Sequence, residues 1–376
     1  MKIHILTGHF YPQLHPRAFR ANELALEFSR RGHNVTVTNC WTMTDFDYDA
    51  YGNESNLKII NLGLIQSNSE SGGKKVMFSS ENKLSKQLRF LKEYLIAGSV
   101  PLKAKKIAEK LTIAQDTDLV IALSTPFSCL WGLSKYVQKN GRNFVAIADS
   151  GDPFYYSKQY SKAPWFKGIE RNVYKNFDFL TIPTENAIPL YSPLIDEKKI
   201  RIIPQGFRMD NLHLYDGGFE GPVRIAYAGV FYRDIRNPEF LFRYLAKCEK
   251  DYELYLFMRN RDTLIDEYIE KYPSLKGKIK VSSLPHDELL YELSRMHFLV
   301  NIENLSNTQM PSKLIDYGMA RRPVFSCNEN TFSEDKLSRF MEGDYTGQYE
   351  IDVQRYNIRR IADDFIDLQT IASGHK

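Results

Sequence analysis

Met310-Pro311-Ser312-Lys313-Leu314-Ile315-Asp316-Tyr317-Gly318-Met319-Ala320, followed by Arg321-Arg322-Pro323-Val324-Phe325, is the stretch on which the reading of this chain turns. Pro311 and Ser312 begin a helix, and the first turn of any helix leaves backbone N–H groups without intrahelical partners. Such amides attract phosphate oxygens. Lys313 adds a point charge beside them. Asp316, one turn in, presents a carboxylate to the same side, where it can accept from paired hydroxyls such as those of a ribose. The plain alternative is a capped helix with a surface carboxylate.

Around this stretch, short apolar runs alternate with helical patterns. In the second half, strands are expected at Val223–Ala228, Glu253–Phe257, Ile279–Val281 and Phe298–Ile302, with a helix around Pro238–Cys248. The first half repeats the scheme: strands at Ile3–Leu6, Asn34–Thr38, Leu119–Leu123, Phe144–Ile147 and Leu180–Ile182, and a helix over Arg20–Arg31. Strands separated by helices imply βαβ units and parallel sheets. Pro204 and Gly206 mark Arg201–Asp210 as a linker. The expected division is 1–205, 206–355, and a last helix (356–376) packing back on the first domain. The fold class is α/β.

The chain has 376 residues, enough for two domains. Residues 1–205 carry 27 Lys and Arg against 19 Asp and Glu, a balance of +8; residues 206–376 carry 23 against 27, a balance of −4. The asymmetry suggests different partners for the two halves, with chance variation of surface charge as the alternative. Cys40, Cys129, Cys248 and Cys327 lie far apart, so reduced thiols are expected rather than disulfides or a zinc site. No metal site is expected. Asp45-Phe46-Asp47-Tyr48-Asp49 has the spacing of metal-dependent sugar transferases, but its polar surroundings favour a solvated turn. No signal peptide or membrane-spanning run is evident, so the expected location is the cytoplasm. Lys83, Lys86, Arg89, Lys92, Lys103, Lys105 and Lys106 flank Leu84, Leu88, Leu91, Tyr94, Leu95 and Ile96. A core helix with a basic face is one reading, and peripheral contact with the inner face of an anionic membrane is the favoured one.

The N-terminal string Gly8-His9-Phe10-Tyr11-Pro12, Arg17-Ala18-Phe19-Arg20 and Arg30-Arg31-Gly32-His33 resembles the opening of the family-four retaining glycosyltransferases. Met310–Phe325 is similar to that family's Pro-Ser-Lys-Leu-x-Glu-Tyr-x-Ala-x-Gly-x-Pro-Val element. Helix-stop chemistry alone explains Arg30, Arg31 and Gly32. Where the family has a Gly-Gly pair after the Pro, this chain has Leu14-His15-Pro16-Arg17, so His15 or Arg17 would reach an anion or acceptor by side chain. Where the family has Glu, this chain has Asp316. A second family Glu is replaced by Thr308, leaving Asn304, Asn307 or Gln309 to contact the sugar.

The resemblance implies the glycosyltransferase B architecture, with two Rossmann-like domains facing a central cleft and a C-terminal helix crossing back to the first. It also implies a nucleoside-diphosphate sugar donor, no cofactor, usually no metal, and retention of the donor's anomeric configuration. By the same resemblance, Gly229, Arg233, Arg236, Pro311, Ser312, Lys313 and Leu314 would hold the diphosphate and Asp316 the ribose. Pro285 and His286 belong to the loop receiving the base, with Asp287 capping the next helix. Ser124 and Thr125 would border the acceptor, and Asp152 or Asp149 would orient or deprotonate its hydroxyl. Arg233 and Lys313 would stabilise charge on the leaving diphosphate. The expected acceptor is a saccharide or lipid-linked molecule of polysaccharide, lipopolysaccharide or glycolipid assembly, and no nucleic acid is involved. A sugar-nucleotide epimerase or hydrolase of the same fold, and a catalytically silent binding protein, are the rivals. A dinucleotide oxidoreductase is disfavoured, because neither first strand is followed by Gly-x-Gly-x-x-Gly.

Overall fold

A computed structural model describes residues 1–13, 15–40, 56–63, 91, 94–156, 162–210, 212–234, 236–258, 260–303 and 312–374. The chain forms two compact units: Met1–Arg208 together with Arg355–Lys376, and Met209–Gln354.

The first unit is built on a seven-stranded sheet, β1 (Lys2–Thr7), β2 (Asn34–Asn39), β3 (Leu57–Asn61), β4 (Leu119–Leu123), β5 (Val145–Asp149), β6 (Phe179–Ile182) and β7 (Ile200–Ile202), in the order β3-β2-β1-β4-β5-β6-β7. Every pairing is parallel. β4 and β5 are buried along their whole length, as a parallel sheet covered on both faces requires. Among the described residues, the first unit's longer helices ahead of the second unit are α1 (Pro16–Arg30), α2 (Val100–Lys110), α3 (Phe127–Asn140) and α4 (Trp165–Tyr174). The second unit repeats the design with β8 (Val223–Ala228), β9 (Tyr252–Phe257), β10 (Ile279–Ser282), β11 (Phe298–Ile302) and β12 (Val324–Cys327), ordered β10-β9-β8-β11-β12 and again parallel throughout. Its helices are α5 (Glu239–Lys247), α6 (Thr263–Lys271), α7 (His286–Ser294), α8 (Ser312–Met319) and α9 (Glu334–Met341).

The expected strands are all present. Three more were not foreseen: β3, β7 and β12. β7 lies partly in the stretch read as a linker, because Ile200–Ile202 pairs with β6 before Pro204 interrupts the backbone donors. The units divide three residues after the boundary drawn from sequence.

The last helix, α10 (Ile358–Gly374), belongs to the first unit. Ile358, Ile361, Ala362, Phe365 and Leu368 join the core formed by Phe28, Ile3 and Val35. The outgoing and returning chain run side by side: Phe207 N donates to Tyr356 O (2.7 Å), and Ile358 N donates to Phe207 O (2.9 Å). Gly206 fits this crossing because it has no side chain. A Cβ there would stand 2.5 Å from Ile358 Cδ1 and 3.1 Å from Ile358 Cα. Gly206→Ala is therefore expected to destabilise the first unit by about 1–3 kcal/mol. Ile358→Val, which removes the nearer atom, should recover part of that loss in the double variant. Thermal unfolding of the three proteins checks this, and a Gly206→Ala melting curve superimposed on the parent's would refute it.

Candidate functional site

In the second unit, the expected donor residues gather where β8 and β11 end and α7 and α8 begin. β8 gives way to Gly229, whose φ of 134° lies in a region that L side chains rarely adopt; its N–H bonds to Phe257 O at 3.0 Å. The chain then doubles back through a pair of backbone bonds between Tyr232 and Arg236, 3.2 and 2.9 Å. Arg233 projects from this turn and pairs with both oxygens of Glu267 on α6, at 2.8 and 2.6 Å. Arg236 instead packs over the Tyr232 ring, donates to Val230 O at 3.3 Å, and lies within the electrostatic reach of Lys313.

Lys313 is the unusual member. The residue is 8% exposed, and its ammonium sits 4.5 Å from the centroid of the Tyr227 ring and donates to Ile302 O at 3.4 Å. Burial, with a smaller contribution from Arg236, pulls it down to about 7. A lysine this dry is costly to charge, and an anion beside it removes the cost. The helix that carries it is fixed from below. The Tyr317 hydroxyl, fully buried, donates to Val300 O (3.1 Å) and accepts from Ala228 N (2.8 Å), while Leu314 packs into the core. Leu314 thus anchors α8 rather than facing a ligand. Pro311 and the Ser312 side chain lie outside the described residues, as do Thr308, Asn304, Asn307 and Gln309.

Asp316 is partly buried and receives a hydrogen bond from His286 Nε2 at 2.9 Å. That bond raises His286 above the ordinary histidine value, against the opposing effect of its burial. The sequence did not pair these two residues. Asp287 is corrected: the N-cap of α7 is Pro285, without a side-chain cap, and Asp287 stands fully exposed inside the first turn. Next to this loop lies a cavity of about 560 Å³, with Tyr255, Phe257, Tyr291 and Leu284 as apolar walls and Lys280 and Glu288 among its polar ones. Glu303, just beyond β11, was also missed. It accepts from Ser326 Oγ (2.7 Å) and Asn328 Nδ2 (3.3 Å), and it shares a small depression with Arg233 and Arg236. Its place after the last residue of a central strand was the available signal.

In the first unit, Asp149 is buried at the end of β5. Arg20 grips both its oxygens (Nε–Oδ2 2.7 Å, Nη2–Oδ1 2.6 Å), Thr181 donates to Oδ1 at 2.7 Å, and Arg17 pairs with Oδ2 and with the Asp149 carbonyl. Burial alone would raise this carboxyl; the two guanidiniums and Thr181 outweigh it and bring it down to about 2. A carboxylate so committed cannot take up a proton from an acceptor. The reading of Asp149 as a base is corrected on that ground, as is that of Arg17 as a side chain reaching outward. His15 caps α1, accepting from Arg17 N at 3.2 Å, and stacks on His9 at 4.1 Å between centroids. Ser124 is buried, 3.2 Å from Ser150 Oγ, which also takes the Tyr191 hydroxyl at 2.8 Å. Thr125 is exposed beside it. Asp152 is exposed, on a loop held from behind by the fully buried Glu170, which accepts from Phe154 N (3.0 Å), Tyr155 N (2.7 Å) and the Tyr174 hydroxyl (3.1 Å).

Among the described residues, no three His, Cys, Asp or Glu side chains converge as metal ligands would, and no helix is long and apolar enough to cross a membrane. The cysteines of the described residues are free thiols, with the Cys40 and Cys129 sulfurs 3.8 Å apart in the core. Asp45–Asp49 and Lys83, Lys86, Arg89, Lys92, Leu84 and Leu88 lie outside the described residues.

No protein-family model matches the sequence, and among curated proteins none matches it. Solved structures do. The apo lipopolysaccharide outer core galactosyltransferase WaaB is 13% identical, with 99% of this chain and 100% of that one covered and a TM-score of 0.58. HepE of Anabaena in complex with UDP is 11% identical over 99% and 100% of the two chains, TM-score 0.57. A putative UDP-N-acetylglucosamine 2-epimerase from Listeria monocytogenes is 12% identical over 100% and 97%, TM-score 0.56. At these identities the likeness is one of fold: two parallel-sheet α/β domains of the glycosyltransferase B type.

Asp149 generates a testable consequence for stability. Its carboxylate titrates near 3.9 when unfolded and about 2 when folded, so it contributes roughly 2–3 kcal/mol above pH 4 that drains away as pH falls through 2. Asp149→Asn, which leaves Arg20 buried without its counter-ion, should cost about 3–5 kcal/mol at pH 7 and flatten the acid limb between pH 4 and 2. Urea unfolding at several pH values measures both. Equal stability at pH 7 would contradict the role given to this residue.

Proposed function

We propose that the protein is a glycosyltransferase that moves a sugar from a nucleoside-diphosphate sugar to an acceptor hydroxyl. The observation that carries the reading is the buried, charge-starved Lys313 at the first turn of α8, with Arg236 in its field and the Asp316–His286 pair one turn on. A diphosphate supplies the negative charge that Lys313 lacks, and the helix amides add to it. Asp316 offers its free lone pairs to ribose hydroxyls, with His286 holding the carboxylate in place. Arg233, once released from Glu267, is a second guanidinium able to grip phosphate oxygens in bidentate fashion. Gly229 leaves room for a close backbone approach. The HepE structure contains UDP, which supports a nucleotide ligand for this fold.

In the reaction, the bond from the sugar's anomeric carbon to the diphosphate breaks as the acceptor oxygen bonds to that carbon. The diphosphate leaves with the bonding pair, and the acceptor's proton departs to a base. Lys313 and Arg236 stabilise the leaving charge. Asp152, exposed on a loop that Glu170 rigidifies, is the base in this reading, with Ser124 and Thr125 at the neighbouring strand end. Retention of configuration, independence from metal, and an acceptor in polysaccharide, lipopolysaccharide or glycolipid assembly at the cytoplasmic face of the membrane complete the proposal. The Listeria likeness keeps an epimerase or hydrolase as the second reading.

A panel of nucleotide sugars should contain a donor that raises stability by about 2.7 kcal/mol at a hundred times its dissociation constant. Lys313→Met and Asp316→Ala should lose most of that shift. Asp152→Asn should keep it while transfer falls about 10²–10⁴-fold. Donor consumption without acceptor would favour the epimerase or hydrolase, and stabilisation without transfer to any acceptor a silent binder. If no nucleotide stabilises the protein, the proposal fails. Affinity should also depend on pH. Because the diphosphate binds the charged lysine, each pH unit above about 7 should weaken the parent's binding up to tenfold. Lys313→Met should bind weakly and without that slope, which calorimetry can read.

A further inference from the structure

One surface of the first unit plays no part in the chemistry above. Residues 94–97 run beside 163–166, joined by a bond from Ala163 N to Tyr94 O (3.0 Å). Ala97, Ala163 and Phe166 form a small core between them, into which Tyr94, Val100 and Phe154 also pack. α2 continues from this core and turns Ala104 and Ile107 inward against Gly132 of α3. With the inner positions taken, the large apolar side chains between them face water. Leu102 is 57% exposed, Trp165 53%, Ile96 51%, Leu91 50% and Leu95 37%. Apolar residues exposed singly need no explanation, but five on two adjoining segments form a patch.

The patch is set among cations. α2 carries Lys103, Lys105, Lys106 and Lys110 against a lone acid, Glu109, which stands 3.9 Å from Lys105. Lys162 and Lys167 flank Trp165, their ammonium groups lying over the Phe154 and Tyr156 rings at 5.3 and 5.8 Å. Six lysines against one glutamate leave the surface strongly positive. Tryptophan favours the boundary between water and lipid, and lysine stems lie along apolar surface with their charges at headgroup depth.

We propose that this surface docks on an anionic lipid bilayer, with Trp165, Leu102 and Ile96 entering the interfacial layer and the lysines meeting headgroup phosphates. The charge selects the occupant. A cationic face whose acids are so few repels a second copy of itself and matches a surface of phosphates. The position of α2 and α4 on the first unit makes this a property of the acceptor-side domain, and it stands or falls independently of the donor chemistry.

Sedimentation with vesicles of phosphatidylcholine, with and without about 30% phosphatidylglycerol, tests this on the full-length protein. The parent should bind the anionic vesicles at least tenfold more tightly, be released by about 0.5 M salt, and show a blue shift of tryptophan emission that Trp165→Phe largely removes. Lys103→Glu/Lys106→Glu/Lys167→Glu should weaken binding about tenfold or more. Leu102→Ser/Trp165→Ser should weaken binding while keeping its salt dependence. Quenching of the parent's tryptophan by brominated lipid gives the same answer should a variant fail to fold. The proposal is overturned if the parent ignores anionic vesicles, if both surface variants bind as the parent does, if brominated lipid leaves the emission unchanged, or if the patch is found covered by a second copy in a dimer that Leu102→Ser/Trp165→Ser dissociates.

Discussion

Asp149 ties together more of the first domain than any other side chain described. From the end of β5 it takes two bonds from Arg20, one from Thr181 on β6, and the approach of Arg17. Arg20 in turn donates to the carbonyls of Ile203 and Pro204, where the chain leaves the domain, and lies 5.7 Å from the Phe365 ring on α10. One carboxylate therefore sets the spacing of α1, two central strands, the exit segment and the last helix. A buried charge held by fewer partners would be a liability. Here every lone pair has a donor, and the surrounding loops inherit their positions from it.

The second domain solves a related problem with less compensation. Lys313 is buried against Tyr227 with a long bond to Ile302 O as a polar contact, so carrying its charge there has an electrostatic cost. Sites that hold such strain exchange stability for readiness to bind. The Tyr317 hydroxyl, spanning β8 and β11, is what keeps α8 from relaxing away.

The period of apolar residues announced the parallel sheets, and the doubling of the pattern announced two domains. The strands that escaped notice did so for separate reasons: β7 is three residues long and abuts Pro204, β12 follows Pro323 inside a motif read for its chemistry, and β3 follows a polar stretch with no clear alternation. The gathering of Lys313, Asp316 and Gly229 was foreshadowed by motif, because helix starts and strand ends are local features. Ion pairs are not. Asp149 lies 129 residues from Arg20, and nothing near either one tells a turn cap from a buried anchor. A shorter separation, 30 residues, still hid the grip of His286 on Asp316, and Glu303 went unnoticed because its partners arrive from another strand.

The side-by-side passage of the chain at Phe207 and Asn357 makes the second domain an insertion within the first. During synthesis, residues 209–354 are complete before α10 exists. Until then, Phe28, Ile3 and Val35 lack the apolar cover that Phe365 and Ile361 supply. The domain begun first is thus finished last, and removing the final twenty residues would wound the N-terminal half of the molecule while leaving its neighbour in sequence whole.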